Sequence, residues 1–243
     1  MNLIIDVGNS FVKLAVFNGN RIVHKEVVEL DFILERIKAV KHEFNAIKRA
    51  IISSVGRLKE TDVEIIGAYF DLLILSANLK LPYKSLYKTP KTLGVDRIAL
   101  VSASVNQFPN NNVLIIDAGT CITYDFITED NHYLGGAISP GLRMRYKSLN
   151  NLTANLPLLD TALPNSIVGN STEASIHSGV VYGVLKEIDG IIEDYKLKYT
   201  DLTVILTGGD SNFLSKQLKS SIFATSNFLL EGLNFILQFN SNE

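Results

Sequence analysis

The sequence predicts an α/β protein built from two similar halves, each a mixed sheet flanked by helices. Two observations support this. The pentapeptide DVGNS at 6–10 returns as DAGTC at 117–121, and the order strand-strand-strand-helix-strand-helix occurs twice. Sheets covered by helices define the α/β class. A period of roughly 110 residues is far longer than a solenoid repeat, so we expect paired domains at 1–109 and 110–243 with a cleft between them.

Turn residues and apolar spacing divide the first half into elements. Asn18-Gly19-Asn20 predicts a hairpin turn, and apolar residues between Phe32 and Val40 are spaced for one helical face. The predicted strands are 2–7, 11–18, 21–28, 48–54 and 71–75. The predicted helices are 31–44, 58–69 and 97–107, and the segment 77–95, with two prolines and a glycine, is predicted to be a loop.

The second half repeats this order. Glu129-Asp130-Asn131 marks a turn between its second and third strands. The predicted strands are 112–117, 121–128, 132–138, 202–206 and 221–225. The predicted helices are 141–151, 172–195, 211–218 and 227–239. No long linker separates the halves, so we expect them to pack closely.

Composition disfavours several classes of function. An apolar content of 47% over 243 residues is enough for a substantial core, and a net charge of −2 gives no electrostatic reason to expect nucleic acid or an anionic membrane as a partner. The one cysteine, Cys121, fits a reducing compartment, and the four histidines show no zinc-ligand spacing. Without a signal peptide or a membrane-length apolar run, the expectation is a soluble cytoplasmic protein.

The segment DVGNSFVK at 6–13 predicts a phosphate-binding turn. Gly8 lets the backbone approach a ligand, Lys13 adds a cation, and Asp6 can hold a metal ion beside the phosphates. It is not a Walker loop, because GxxxxGK[ST] is absent and a strand follows. Alone, the segment is equally typical of an ordinary hairpin. The second copy at 117–121 favours the phosphate interpretation.

The segment GVDR at 94–97 stands where a proline-marked loop meets an apolar helix. Local sequence favours Asp96 as the helix N-cap. A carboxylate at a helix start can also accept a proton from a substrate hydroxyl, and Arg97 beside it can bind a carboxylate through two parallel hydrogen bonds. The two roles of Asp96 are compatible.

Three further segments have both a structural and a functional interpretation. GGAISPGLRMR at 135–145 and TGGD at 207–210 are tight connections that can also present amides to a ligand. Thr172 lies at the start of a helix, where it can cap or bind a polar substrate group, and Tyr87 can pack or contact a ligand.

Taken together, these motifs resemble the type III pantothenate kinase family, within the superfamily of acetate and sugar kinases, Hsp70 and actin. The resemblance runs nearly end to end. Each motif is weak alone, and their order and spacing are specific. The motifs are DVGNSFVK at 6–13, GVDR at 94–97, DAGTCITYD at 117–125, GGAISPGL at 135–142, NSTEASIHSG at 170–179 and TGGD at 207–210.

The resemblance implies a fold and a reaction. The fold would be two duplicated actin-like (ribonuclease H-like) domains. The reaction would be ATP-dependent phosphorylation of the primary hydroxyl of pantothenate to 4'-phosphopantothenate, the first step of coenzyme A biosynthesis. Family members need magnesium and a monovalent cation, potassium or ammonium, and are typically homodimers with substrate sites near the interface.

The resemblance also assigns site residues, with Asp96 as the general base. Asp117 corresponds to the monovalent-cation site, and Asp6 as a magnesium ligand through water is inferred from its place in the turn. The ATP-binding residues are Asp6, Val7, Gly8, Asn9, Ser10, Phe11, Val12, Lys13 and Thr120. The substrate-binding residues are Tyr87, Gly94, Val95, Asp96, Arg97 and Thr172.

Two alternatives are weaker. A transcriptional accessory factor or nucleotide-dependent binding module is disfavoured because Asp96 is present and no basic patch is evident. A kinase of the same fold acting on another small hydroxyl or carboxylate substrate would leave the GVDR and NSTEA segments unexplained.

Overall fold

A computed structural model of the chain describes residues 1–8, 11–54 and 58–241. Its described residues form two compact units. The first comprises Met1–Pro109 with Asn227–Glu243, and the second comprises Asn110–Ser226, each as far as it is described.

The sheet of the first unit is mixed, with strand order β3-β2-β1-β4-β5. Strand β1 is antiparallel to β2 and parallel to β4, and the remaining pairs are antiparallel β2/β3 and parallel β4/β5. A two-residue strand, β6, lies within the segment predicted to be a loop. The five strands of this sheet are β1 (Asn2–Val7), β2 (Val12–Asn18), β3 (Arg21–Val28), β4 (Arg49–Ser54) and β5 (Asp71–Ile74). Strand β6 (Lys84–Ser85) is not one of them.

Helices α1 (Ile33–Glu43) and α2 (Glu60–Tyr69) cover one face of this sheet, and α3 (Val95–Gln107) follows the loop. Alternate strand residues such as Leu3 and Ile5 form a buried cluster with Ile37 and other apolar helix residues. Alternation is what a strand requires when helices bury one of its faces. Single 3-10 turns precede α1 at Leu30–Phe32 and α3 at Pro90–Thr92.

The second unit repeats the same arrangement, with strand order β11-β10-β7-β8-β9. Its central strand β7 is antiparallel to β8 and parallel to β10, as β1 is to β2 and β4, while β8/β9 is antiparallel and β10/β11 parallel. The strands are β7 (Val113–Ala118), β8 (Cys121–Ile127), β9 (His132–Pro140), β10 (Thr203–Thr207) and β11 (Phe223–Ala224).

The helices of the second unit are α4 (Leu142–Asn151), α5 (Thr172–His177), α6 (Gly183–Lys198) and α7 (Ser211–Ser215). The continuous helix predicted at 172–195 is interrupted by a π-helical turn at Ser178–Tyr182. Such a turn adds a residue to one helical turn without breaking the helix, so the apolar periodicity conceals it. None of the helices in the described part of the chain combines the length and hydropathy that a membrane crossing requires.

The last helix, α8 (Phe228–Phe239), packs against α3, β1 and β4 of the first unit. Asn2 donates a hydrogen bond to the Asn234 side chain at 2.9 Å. A Cβ at Gly232 would lie 2.0 Å from the carbonyl oxygen of Ala99, so α8 and α3 touch backbone to backbone. The structure therefore assigns 227–243 to the first unit, whereas the sequence analysis assigned them to the second half. Sequence order alone does not show which sheet a terminal helix covers.

Candidate active site

The two Asp-x-Gly segments form tight turns at corresponding places in the two units. Asp6 and Asp117 each stand one residue before the end of the central strand. The amide of Gly8 donates to the Phe11 carbonyl oxygen at 3.0 Å, and the amide of Gly119 donates to the Cys121 carbonyl oxygen at 2.9 Å. The sequence prediction of two equivalent strand-turn-strand segments is thus matched by their local geometry.

The described residues of the first turn offer a ligand mainly backbone groups and one cation. The Val7 and Val12 side chains are buried in the core, so only their main chain is available to a ligand. Phe11 is exposed, and the half-exposed Lys13 places its Nζ 3.6 Å from Oδ2 of Asp6. The predicted contacts Asn9 and Ser10 lie outside the described residues.

Asp6 is a buried acid with two charged neighbours. Burial raises the pKa of its carboxyl, Lys13 opposes that rise, and the nearby carboxylate of Asp96 adds to it. The first unit therefore brings Asp6, Lys13 and Asp96 within electrostatic reach of one another, although Asp96 is 90 residues further along the chain.

We expect Asp6→Asn to leave the protein at least as stable as the wild type at pH 7. Because the folded state holds the Asp6 proton more tightly than the unfolded state, the contribution of Asp6 to stability falls as the pH rises from the unfolded pKa through the folded one. Removing the charge should raise the free energy of unfolding by about 1.4 kcal/mol for each unit by which the pKa is raised. Losing the ion pair with the half-exposed Lys13 should lower it only slightly.

Urea unfolding from pH 4 to 7 measures this effect, with the exposed Asp31→Asn as the control. The gap between Asp6→Asn and wild type should widen as the pH rises. A variant less stable than the wild type at pH 7, but equally stable at pH 4, would contradict the conclusion that burial of the Asp6 charge is unfavourable.

Asp96 lies in the first turn of α3, but the N-cap is Gly94 and not Asp96, as local sequence had favoured. The Oδ1 atom of Asp96 accepts a hydrogen bond from the backbone amide of Arg97 at 2.9 Å, which satisfies one of the amides that a helix start leaves open. A Cβ at Gly94 would lie 2.3 Å from that oxygen. Gly94 therefore allows the half-buried carboxylate to take this position.

Arg97 is held against an aromatic ring. It is 5% exposed, and its Cζ lies 5.5 Å from the centroid of the Tyr87 ring, within the range of a cation–π contact. A guanidinium fixed in this way is preorganised to bind a carboxylate through two parallel hydrogen bonds. The substrate residues predicted from the first half, Tyr87 and Gly94 to Arg97, thus form one local cluster.

The second turn carries Asp117 between two hydroxyl residues. Asp117 is directly opposite Thr123 on β8 and beside Thr207 on β10. Side chains at directly paired positions lie on the same face of a sheet. Thr120 is exposed at the tip of the turn, and its carbonyl oxygen accepts a hydrogen bond from the amide of Gly141 at 3.1 Å.

Two glycines from other segments pack directly against this turn. Gly208 has φ +94°, and a Cβ there would lie 2.3 Å from the Ala118 carbonyl oxygen and 2.4 Å from Oδ1 of Asp117. A Cβ at Gly141 would lie 2.2 Å from the Gly119 carbonyl oxygen. Neither position accepts a side chain, so the segments TGGD and SPG act as backbone supports for Asp117 and its turn.

The groups around Asp117 are all oxygen donors, which suit an alkali or alkaline-earth cation. They are a carboxylate, the Ala118 carbonyl oxygen beside it and the two flanking hydroxyls, and oxygen ligands of this kind bind alkali and alkaline-earth ions. Among the residues that the structure describes, no group of three or more His, Cys, Asp or Glu side chains could hold a metal ion. The donor set does not suit zinc or copper, which prefer nitrogen and sulfur.

Thr172 lies at the start of α5 with its side chain exposed. The N-cap of that helix is Ser171, whose Oγ accepts from the amide of Ala174 at 3.2 Å, so capping does not require Thr172. A groove of about 670 Å³ runs past it, lined also by Ser171 and Ile176. Thr172 is therefore placed to contact a polar ligand group.

The arginines of the 135–145 segment have structural partners. Arg145 donates to the Ser139 hydroxyl at 3.0 Å and forms an ion pair with Glu187. Arg143 donates to Asp160 at 3.0 Å. The structural interpretation of these two side chains is therefore favoured over ligand binding.

Solved structures identify the fold. A glucokinase from an Antarctic psychrotroph covers 98% of this chain and 98% of its own, with a TM-score of 0.55 and 15% identity. A Campylobacter jejuni protein assigned to the Baf family of transcriptional activators covers 99% of this chain and 100% of its own, with a TM-score of 0.65 and 22% identity. At these identities the likeness establishes fold alone, the duplicated actin-like fold of sugar kinases.

Sequence comparison identifies the family. A model of the type III pantothenate kinase family matches residues 2–194. The type III pantothenate kinase of Christiangramia forsetii is 54% identical over 243 residues, which are 100% of both chains. The chain belongs to the type III pantothenate kinase family.

Proposed function

We propose that this chain transfers the γ-phosphoryl group of ATP to the primary hydroxyl of pantothenate, with Asp96 as the general base. The product is 4'-phosphopantothenate, and the reaction is the first step of coenzyme A biosynthesis. The observation that carries the proposal is the placement of Asp96: its carboxylate is fixed at the start of α3, beside Arg97, and acts electrostatically on Asp6 of the phosphate turn. Acceptor-activating and phosphate-binding groups thus belong to one cluster.

Arg97 is proposed to bind the carboxylate of pantothenate, because its guanidinium is already held against Tyr87. Anchoring that end orients the hydroxyl towards Asp96, which accepts the proton as the new P–O bond forms. Phosphoryl transfer depends chiefly on alignment and charge stabilisation. Gly94, Val95, Tyr87 and Thr172 are the further proposed substrate contacts.

The turn at 6–13 is proposed to bind the phosphates of ATP through its amides and Lys13, with Thr120 as a further nucleotide contact. Magnesium bound to ATP neutralises charge on the phosphates. Asp6 is the proposed protein contact to that ion, through water. Lys13 would then leave its contact with Asp6 to meet phosphate oxygen, which its half-exposed side chain allows.

Asp117 is proposed to hold a monovalent cation, potassium or ammonium, with the surrounding oxygens described above. A positive charge at this turn would reduce the repulsion between Asp117 and the incoming phosphates. In this proposal Thr123 and Gly208 affect the reaction by positioning Asp117, without contacting the substrate.

We further propose a homodimer, located in the cytoplasm as the single cysteine suggests. Supporting the dimer, several large apolar side chains are exposed along one segment of the second unit, more than isolated surface residues usually are. They are Leu152, Leu158, Leu163, Ile167 and Val168. Light scattering of the purified protein at two concentrations tests this, and a monomer at both would contradict it.

The test of the function is a coupled ADP-release assay with ATP and magnesium, with and without pantothenate, in potassium and then in sodium. We expect turnover that requires pantothenate and falls about tenfold or more in sodium. Losing the favourable interaction between Asp117 and its cation is enough to lower the rate by an order of magnitude. Folded protein without pantothenate-dependent turnover in any salt would contradict the proposal and favour a binding module.

A further inference from the structure

The two turns place equivalent acids in the same register but with different neighbours. Asp6 is opposite Lys13 on the antiparallel side and beside Ser53 on the parallel side. Asp117 has Thr123 and Thr207 at the corresponding positions. The residue after each acid is also paired across the antiparallel strands: Val7 with Val12 in the first unit, and Ala118 with Ile122 in the second. Asp6 and Asp117 therefore occupy equivalent positions in the two units.

On the parallel side the two units agree. Ser53 and Thr207 are both hydroxyl residues, and both are buried. The difference lies on the antiparallel side. There the first unit supplies an ammonium group 3.6 Å from its acid, while the second supplies a threonine, which has no charge.

The hydroxyl of Thr123 is itself unusual. Thr123 is 8% exposed, and its Oγ1 is buried without a hydrogen-bond partner among the residues that the structure describes. A buried hydroxyl usually has a partner, and one without it is destabilising. Two residues further along β8, on the same face, the carboxyl of Asp125 accepts a hydrogen bond from Tyr133 at 2.7 Å. The face around Thr123 is thus rich in oxygen and acidic.

We infer that the Thr123 hydroxyl is a ligand of the monovalent cation proposed at Asp117, and that this cation replaces the ammonium group that Lys13 provides to Asp6. The inference rests on the proposed cation site and adds a residue and a reason for it. One half of the duplication carries its positive charge on a side chain, and the other half takes it from solution.

A lysine at position 123 should therefore make the added cation unnecessary. The Thr123→Lys ammonium would lie on the face between Asp117 and Asp125, where an added positive charge is favourable. Thr123→Met is the matched control, because it has a similar length without charge. Thr123→Val removes only the hydroxyl while keeping the β-branched shape, and Thr123→Ser keeps the hydroxyl.

The experiment measures melting temperature and thallium(I) binding by NMR, with ADP release as a third readout, in potassium chloride and in choline chloride of equal ionic strength. For the wild type we expect a higher melting temperature in potassium and turnover that falls about tenfold without it. Thr123→Lys should lose both the thallium signal and the potassium-dependent melting shift, and its turnover should be the same in the two salts. Thr123→Met should lose the binding and show, in both salts, the low turnover of the wild type without potassium.

Several results would overturn the inference. One is a Thr123→Lys protein that folds and still needs potassium. Another is a Thr123→Val protein that binds thallium as tightly as the wild type and Thr123→Ser. If Thr123→Lys does not fold, the Val and Ser pair decides alone, and equal potassium-dependent melting shifts reject the role of the hydroxyl. The two binding readouts need no pantothenate, so they distinguish failure of this inference from failure of the kinase proposal.

Discussion

Asp96→Asn should lower kcat by roughly 10²–10⁴-fold, the contribution typical of a general base. The Michaelis constant for pantothenate should change little, because Arg97 and Tyr87 are untouched. The fold should also be preserved. The asparagine carbonyl oxygen can still accept the hydrogen bond from the Arg97 amide that Oδ1 of Asp96 now accepts at 2.9 Å.

Steady-state kinetics with pantothenate varied, together with thermal melting, tests this expectation. Asp62→Asn is the matched control, since Asp62 is also an acid in the first turn of a helix, α2. It should retain wild-type kcat. If Asp96→Asn retains near-wild-type kcat, Asp96 is not the base. If it melts far below the wild type, the loss of activity is structural.

Gly208→Ala should lower turnover by about 10²-fold, because a displacement of about 1 Å in a site group can cost that much. A methyl group there would lie 2.4 Å from Oδ1 of Asp117 and 2.3 Å from the Ala118 carbonyl oxygen. The positive φ of +94° adds backbone strain for any residue other than glycine. Both effects push Asp117 out of its place in the turn.

Gly209→Ala is the control in the adjacent position, where an added Cβ meets nothing within 4 Å. Its turnover and potassium activation constant should match the wild type. Gly208→Ala should raise the potassium constant more than the pantothenate constant, since its clash is with the cation turn. Equal behaviour of the two variants would show that Gly208 does not position Asp117.

Much of the fold could be predicted because the determining signals are local. Strand β1 and helix α4 match their predicted ranges to within one residue at each end. An apolar run that ends at a turn residue defines β1, and Pro140 and Gly141 directly before α4 mark its start. The π turn at Ser178–Tyr182 and the two-residue β6 could not be predicted. The apolar residues around the π turn (Ile176, Val180, Val184 and Ile188) are four apart, a spacing also typical of an α-helix, and β6 is too short to form a pattern.

The site was predictable to the extent that its residues stand in motifs. Asp6, Asp96 and Asp117 were found because each adjoins a glycine-marked turn or a helix start. Thr123 was not found as a site residue, although it lies within the DAGTCITYD segment. Its significance depends on the strand register that sets it opposite Asp117, and register is a property of pairing that the sequence of one strand does not contain.

Helix α8 has a consequence for how the molecule is made. The first unit has its sheet and α3 by residue 107, but α8, which packs on β1, β4 and α3, begins only at Phe228. The second unit is continuous in sequence and can fold as soon as it leaves the ribosome. The first must wait with apolar surface uncovered, a state prone to aggregation. We therefore expect the first unit, although most of it is translated first, to complete its core only after α8 has been synthesised.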